Sequence, residues 1–144
     1  MSFSGLTSYI PDIIDGLIMS IIITLLGMLF GSLLGLLAAV AKNSENFLLS
    51  KISSAYIEVI RNTPLLIQLY LLYFGLGQLG IQLEAFWVAF IGLTLNNGAY
   101  VAEIFRAGFK VVHKGLIEAG LALGFDKSQV FRYVVFTPAL KSIF

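Results

Sequence analysis

The stretch GLIMSIIITLLGMLFGSLLGLLAAVA, residues 16–41, runs for 26 residues without a charged side chain. The hydrocarbon core of a bilayer is about 30 Å thick, and an α-helix needs about 20 apolar residues to cross it. Two further uncharged stretches follow, at residues 64–83 and 85–102. Each of the three stretches is therefore predicted to be a membrane-spanning helix.

The composition of the whole chain agrees with this prediction. Hydrophobic residues make up 58% of the 144 residues and charged residues 12%, and the mean hydropathy is +0.94. A soluble domain of this size lacks the charged surface needed to cover so much apolar area. We predict an all-α, polytopic helical membrane protein that forms one domain over residues 1–144, with the lipid bilayer as its surroundings. The net charge of +1 comes without a basic cluster, so no nucleic acid partner is expected.

The basic residues are distributed unevenly along the chain. Lys42, Lys51 and Arg61 lie between the first and second predicted spans, and the remaining six Lys and Arg residues follow the third. Because cytoplasmic loops are enriched in Lys and Arg, we predict that the N-terminus lies outside and that residues 42–61 and 103–133 lie in the cytoplasm. The first residues contain no Lys or Arg, so an uncleaved span is expected there rather than a signal peptide.

The sequence offers little for catalysis. Cys is absent and His113 is the single histidine, so we expect no metal site, no cofactor and no catalytic residue. The phosphate-binding pattern GxxxxGK[ST] is also absent, so no nucleotide site is expected in this chain. The protein is predicted not to be an enzyme.

Gly27, Gly31 and Gly35 recur at every fourth residue of the first span. Small residues on one face let membrane helices approach closely. The stripe predicts a packing seam within one subunit or, as the alternative, a contact between two subunits.

Asn96, Tyr100 and Glu103 lie at i, i+4 and i+7, so they share one face of the third span. Polar groups at membrane depth face a bundle interior or a watery path. The pattern indicates either a solute path or interhelical hydrogen bonds together with a Glu103–Arg106 ion pair.

Arg61 and Gln68 are further candidates for a solute path, because polar side chains next to or inside a span are costly. The residues around Arg61 also fit a simple helix restart, with Thr63 as the N-cap. Glu58 lies three residues before Arg61, so these two side chains can pair on one helix face.

A short helix is predicted from Gly115 to Leu123, within GLIEAGLALG at residues 115–124, and a second helix follows it. Gly124 is placed to end the first helix, and Asp126 with Gln129 forms a capping box at the start of the second. The first helix is too short to span a membrane. It is either an ordered loop or a docking element for a soluble partner.

Three motifs in order resemble the permease subunits of ATP-binding-cassette importers for polar amino acids, over residues 14–144. They are RNTPLLIQLYLLYFG at 61–75, NNGAYVAEIFRAG at 96–108, and a cytoplasmic motif that begins Glu118-Ala119-Gly120 and ends at Gly124. The family's motif begins Glu-Ala-Ala, so Gly120 departs from it.

The resemblance implies a type I importer transmembrane domain in the bacterial inner membrane, formed with a second permease subunit, identical or different. An extracytoplasmic binding protein would deliver a polar amino acid, and a separate ATPase subunit would dock on the helix at about 115–124. Family members continue past a fourth span, so we expect the sequence to end inside that span, at residues 134–144. A membrane scaffold without transport activity is the alternative function.

Overall fold

The computed structural model describes residues 9–111 and 113–137, which form helices joined by short connections and contain no strand. The all-α prediction is confirmed for these residues. The elements in chain order are α1 (Ile10–Lys42), α2 (Phe47–Arg61), α3 (Leu65–Tyr70), a π-helical turn (Leu71–Gly75), α4 (Leu76–Gln78), α5 (Ala85–Val111), α6 (Lys114–Ala122), α7 (Lys127–Gln129) and a second π-helical segment (Val130–Phe136).

The glycine stripe of α1 packs against α5. Gly27, Gly31 and Gly35 are buried. A Cβ added to Gly31 would lie 2.9 Å from Asn97 Cβ, and one added to Gly35 would lie 2.7 Å from the carbonyl oxygen of Gly98. Any side chain at these positions would push the two helices apart. The predicted packing seam within one subunit is confirmed.

The same contacts show that α1 and α5 run parallel, because Gly27 lies beside Leu93 and Gly35 lies beside Val101. Within the described residues these two helices are long and apolar enough to cross a membrane. The helices between them, Phe47–Arg61 and Leu65–Gln78, are bent by 104° and make a third crossing if they count as one span.

The predicted spans at 16–41 and 85–102 fall inside α1 and α5. The stretch predicted as a span at 64–83 is shorter as a helix, because its helical turns end at Gln78 and Gly80 adopts a positive φ of 84°. Residues 138–144, which belong to the predicted fourth span, lie outside the described residues.

The break between α2 and α3 is stabilised by side chains on both sides of it. The prediction that Thr63 caps the new helix is wrong: Pro64 is the N-cap residue, and Thr63 Oγ1 donates to the Val59 carbonyl 2.7 Å away in α2. Gln68 Nε2 reaches back from α3 and donates to the carbonyls of Ile60 at 2.9 Å and Thr63 at 2.8 Å. Carbonyls that the break leaves without helical partners are thereby satisfied.

Helix α2 packs against α1 and α5 and donates side-chain hydrogen bonds to both. Ser53 Oγ donates to the Ala38 carbonyl at 2.6 Å, and Tyr56 OH donates to the Leu95 carbonyl at 2.7 Å. Small side chains allow the three helices to meet closely at this point. The buried cluster there consists of Ala38, Ala39, Ile57 and Ala102.

Candidate functional site

Glu103 lies at the centre of a charge cluster that joins three helices. Its Oε1 accepts a hydrogen bond from Arg106 Nε at 2.8 Å and is also paired with Arg106 Nη2. Its Oε2 lies 3.7 Å from Lys42 Nζ on α1 and 3.9 Å from Arg61 Nη1 at the end of α2. The Glu103–Arg106 pair expected from the sequence is confirmed, and one carboxylate faces three cations.

A cavity of about 290 Å³ opens beside this cluster. Its charged lining consists of Lys42, Glu58, Arg61 and Glu103, two cations and two acids. The guanidinium of Arg61 lies 5.5 Å from the centre of the Tyr100 ring, a cation–π contact that orients the arginine. The cavity therefore presents both signs of charge within a small volume.

Lys42, Arg61 and Glu58 have capacity for a ligand. The separations of Lys42 and Arg61 from Glu103 Oε2 are longer than hydrogen bonds, so the Oε2 atom, which is buried, has no hydrogen-bond partner among the described residues. Glu58 does not pair with Arg61 as its spacing allowed, and it makes no ion pair within the part of the chain that the structure describes. Cationic donors and an acidic acceptor thus remain available to a solute.

The predicted solute-path residues do not all reach this cavity. Arg61, Tyr100 and Glu103 line it, whereas Asn96 and Gln68 do not. Asn96 is half-buried and makes no side-chain hydrogen bond to the described residues. The amide group of Gln68 is buried and donates to the broken end of α2, while its Oε1 has no partner in the described structure.

Sequence reasoning missed Asn97 and Lys42. Asn97 Nδ2 donates to the Met28 carbonyl at 3.2 Å, so the amide that links α5 to α1 is one residue beyond Asn96. A sequence signal for Asn97 does exist, because it lies next to Gly98 and three residues after Thr94. These small residues are on the face of α5 that packs against the glycine stripe of α1. Lys42 carries no local signal, since its partner Glu103 is 61 residues away in the chain.

The predicted docking element is helix α6 and the turn after it. Leu123 is the C-cap, Gly124 has φ +86°, the N–H of Phe125 donates to the Gly120 carbonyl at 3.1 Å, and the N–H of Gly124 donates to the Leu121 carbonyl at 3.0 Å. This is a Schellman motif, as expected for a glycine that ends a helix.

The next helix begins with the predicted capping box. Gln129 N–H donates to Asp126 Oδ1 at 2.8 Å, and Asp126 N–H donates to Gln129 Oε1 at 3.0 Å. Two short helices therefore meet at a geometrically fixed corner.

The four residues of the motif differ in exposure. Glu118, Ala119 and Gly124 are exposed, whereas Gly120 is buried. A Cβ at Gly120 would lie 3.3 Å from the Cγ2 atoms of both Val130 and Val134, which are on the following segment. The motif thus presents two adjacent residues outward and packs the third inward.

Comparisons with known proteins place the chain in a family. The model for the inner membrane component of binding-protein-dependent transport systems matches residues 31–144. The chain belongs to this family, whose members are transport permeases rather than enzymes.

Curated relatives carry more specific names. The chain is 38% identical over 144 residues to the arginine transport system permease protein ArtQ of Bacillus subtilis, covering 99% of this chain and 66% of ArtQ. It is 36% identical over 141 residues to the glutamine transport system permease protein GlnP of Escherichia coli, covering 96% of this chain and 64% of GlnP. The chain therefore spans just under two thirds of the length of these two curated relatives.

A solved structure has the same fold. The crystal structure of an amino acid ABC transporter with histidines matches with a TM-score of 0.86 and 43% sequence identity, over 99% of this chain and 67% of that chain. The fold is that of an ABC importer permease. The protein is therefore a multi-pass inner membrane permease related to amino acid permeases.

Proposed function

We propose that the protein is the permease subunit of an ATP-driven importer for polar amino acids, and that the cavity beside Glu103 lies on the solute path. The observation that carries this proposal is the cavity's charge pattern, with Lys42 and Arg61 near Glu58 and Glu103. Relatives named for arginine and glutamine transport support the solute class. A separate ATPase, a binding protein and a second permease subunit complete the transporter.

The charge pattern suits the part that all amino acids share. A free amino acid carries a carboxylate and an ammonium on the same carbon atom, and each is costly to desolvate unless paired. Lys42 and Arg61 keep donors free for the carboxylate, because neither makes a hydrogen bond to Glu103. Glu58 is the acid that accepts the ammonium. Tyr100 keeps Arg61 in place through its ring.

Uptake into liposomes by the full-length transporter tests this assignment. Tyr100→Ala removes the ring under Arg61 and is expected to raise the KM for uptake, whereas Tyr100→Phe keeps the ring and serves as the matched control. Glu103→Gln leaves Lys42, Arg61 and Arg106 without their shared acid and is expected to lower the rate as well. Unchanged KM and rate in Tyr100→Ala and Glu103→Gln would leave this face with a structural role only.

We further propose that α6 docks on the ATPase subunit through Glu118 and Ala119, with Gly120 and Gly124 shaping the element. The support is geometric: α6 is too short to cross a membrane, ends in a fixed corner and leaves these two side chains exposed. A rigid short helix transmits a displacement of the ATPase to the spans it connects.

These 144 residues contain no cysteine, so a cysteine introduced here is the only reactive thiol among them. A cysteine at Ala119 is expected to cross-link to a cysteine in the ATPase groove, and the yield is expected to change with ATP. Ala119 is a better position than Gly120, where a side chain would meet Val130. Leu79 is 77% exposed and lies at the other end of the bundle. Leu79→Cys is therefore the control that should form no cross-link to the ATPase. Absence of the Ala119 cross-link along the whole groove would remove the docking role.

The orientation is proposed with the N-terminus outside and residues 42–61 and 103–133 in the cytoplasm. One support is that α1 and α5 run parallel, so the chain between them must cross the membrane once in the opposite direction. The other is that every Lys and Arg lies either within residues 42–61 or after residue 105, as expected for cytoplasmic segments. A membrane-impermeant maleimide should label Leu79→Cys in intact cells and Leu123→Cys only after permeabilisation. The reverse pattern would invert the topology.

A further inference from the structure

A second, larger cavity lies at the opposite end of the bundle from the Glu103 cluster. It has a volume of about 680 Å³ and is formed where α4 ends and α5 begins. Glu84 directly precedes α5 and Glu103 lies 19 residues further along the chain, so the helical rise places the two cavities about 28 Å apart. Among the lining residues are Tyr73, Phe74, Gly77, Gln78, Gln82 and Glu84.

Aromatic rings form one side of this cavity. Tyr73 and Phe74 meet edge to face with ring centres 4.9 Å apart, and both side chains are about half exposed. Gly77 has no atom within 4 Å of the position a Cβ would occupy. Gly77, which lines the same cavity as the two rings, therefore leaves the space beside it open.

The polar side of the cavity consists of two amide groups and one carboxylate, whose oxygens can accept hydrogen bonds. Gln78, Gln82 and Glu84 make no side-chain hydrogen bond or ion pair to the rest of the described chain. The sequence contains no Lys or Arg between Arg61 and Arg106. Glu84 therefore has no basic residue near it in the sequence, in contrast to Glu103 with its three cations.

A carboxylate beside aromatic faces and amide oxygens is the combination that binds an ammonium or guanidinium group. We propose that this outer cavity is a separate binding site for the cationic group of a small solute, used before the solute reaches the Glu103 cavity. The order in which the solute occupies the two cavities rests on the proposed transport function and orientation. Glu84 is the charged contact, and Tyr73 with Phe74 provides the aromatic surface.

A purely structural role for Glu84 would be stabilisation of the first turn of α5, since an acid is favourable at a helix N-terminus. Its backbone carbonyl does accept from the N–H of Val88 at 3.1 Å. That role leaves Gln78, Gln82 and the exposed rings unexplained, and it predicts no ligand.

The test is equilibrium binding of ethylguanidinium to the full-length permease–ATPase complex, purified in detergent. This probe has no carboxylate, so it does not report on recognition of a zwitterion at the Glu103 cavity. Glu84→Gln keeps the shape of the side chain and removes its charge, and it is expected to weaken binding about tenfold, the loss of one ion pair. Asp15→Asn is the matched control. It removes an exposed acid near the start of α1, which does not line the cavity, and it should leave binding unchanged.

Three outcomes overturn the proposal. Equal binding by Glu84→Gln and the parent removes the site. Equal weakening by Asp15→Asn reduces it to a general surface potential. Unaltered ethylguanidinium binding with weaker docking of the binding protein on Glu84→Gln assigns the cation to a side chain of that partner. Normal uptake in Tyr100→Ala and Glu103→Gln, by contrast, removes only the proposed role of the other cavity.

Discussion

Gly35 and Gly124 show two different uses of the same residue in this protein. Gly35 is helical and buried, and a Cβ there would meet the Gly98 carbonyl and the Val101 side chain at 2.7 Å. Gly124 is exposed with open space around it, but its φ of +86° excludes most side chains. The first glycine serves a contact between residues more than 60 positions apart. The second serves a turn whose hydrogen bonds all lie within a few residues, so the two sites fail in different ways.

The largest effect is expected from Gly35→Val. Backbone atoms of α5 block the new side chain, so α1 and α5 must separate, at a cost of about 3 kcal/mol or more of folding free energy. Thermal unfolding of the full-length permease in detergent measures this change. Gly16→Val is the matched control, because no atom lies within 4 Å of a Cβ at that position of the same helix. Equal loss in both variants would mean that helix propensity, not the seam, sets the cost.

Gly124→Val is expected to cost about 2 kcal/mol locally, because a β-branched residue is strained at positive φ. We expect it to leave α1 and α5 assembled and to uncouple ATP hydrolysis from uptake. Gly124→Asn tolerates this conformation and should retain most coupling. The ratio of solute transported to ATP hydrolysed checks both variants, and normal coupling in correctly inserted Gly124→Val would contradict the assignment.

Tyr56→Phe tests a second contact between residues that are far apart in the chain. It removes one hydrogen bond, to the Leu95 carbonyl 39 residues away, while keeping the ring. The expected loss is about 1 kcal/mol. The unfolding midpoint should fall by less than in Gly35→Val. No change at all would mean that water replaces the phenol at this carbonyl.

The smallest effect is expected from Asp126→Ala, which breaks an exposed capping box. A cap on so short a helix contributes about 0.5 kcal/mol, at the low end of the usual range. Asp126→Asn preserves the acceptor and is the control. Hydrogen exchange of the amides near Gln129 measures the local loss, and a fall in global stability as large as that of Gly35→Val would show that the corner is coupled to the bundle core.

The charge cluster was only partly accessible to sequence reasoning. Glu103, Tyr100 and Arg106 lie on one helix, so their spacing alone placed them together. Lys42 and Arg61 come from two other helices, and their approach to Glu103 depends on the packing of α1 and α2 against α5. Glu58 and Arg61 lie on the same helix, α2, yet Arg61 approaches Glu103 of α5 instead of pairing with Glu58.

The sequence by itself determined the membrane class, the helical content, the small-residue face of α1 and the corner at Gly124, because each depends on apolar length, on spacing along one helix or on contacts within a few residues. Only the tertiary structure decided that Gln68 binds the broken end of α2, that Asn97 rather than Asn96 reaches α1, and that three cations converge on Glu103. Those features depend on the relative rotation and tilt of whole helices. A rotation of 100° per residue separates neighbours such as Asn96 and Asn97 onto different faces, and only packing selects the face that is used.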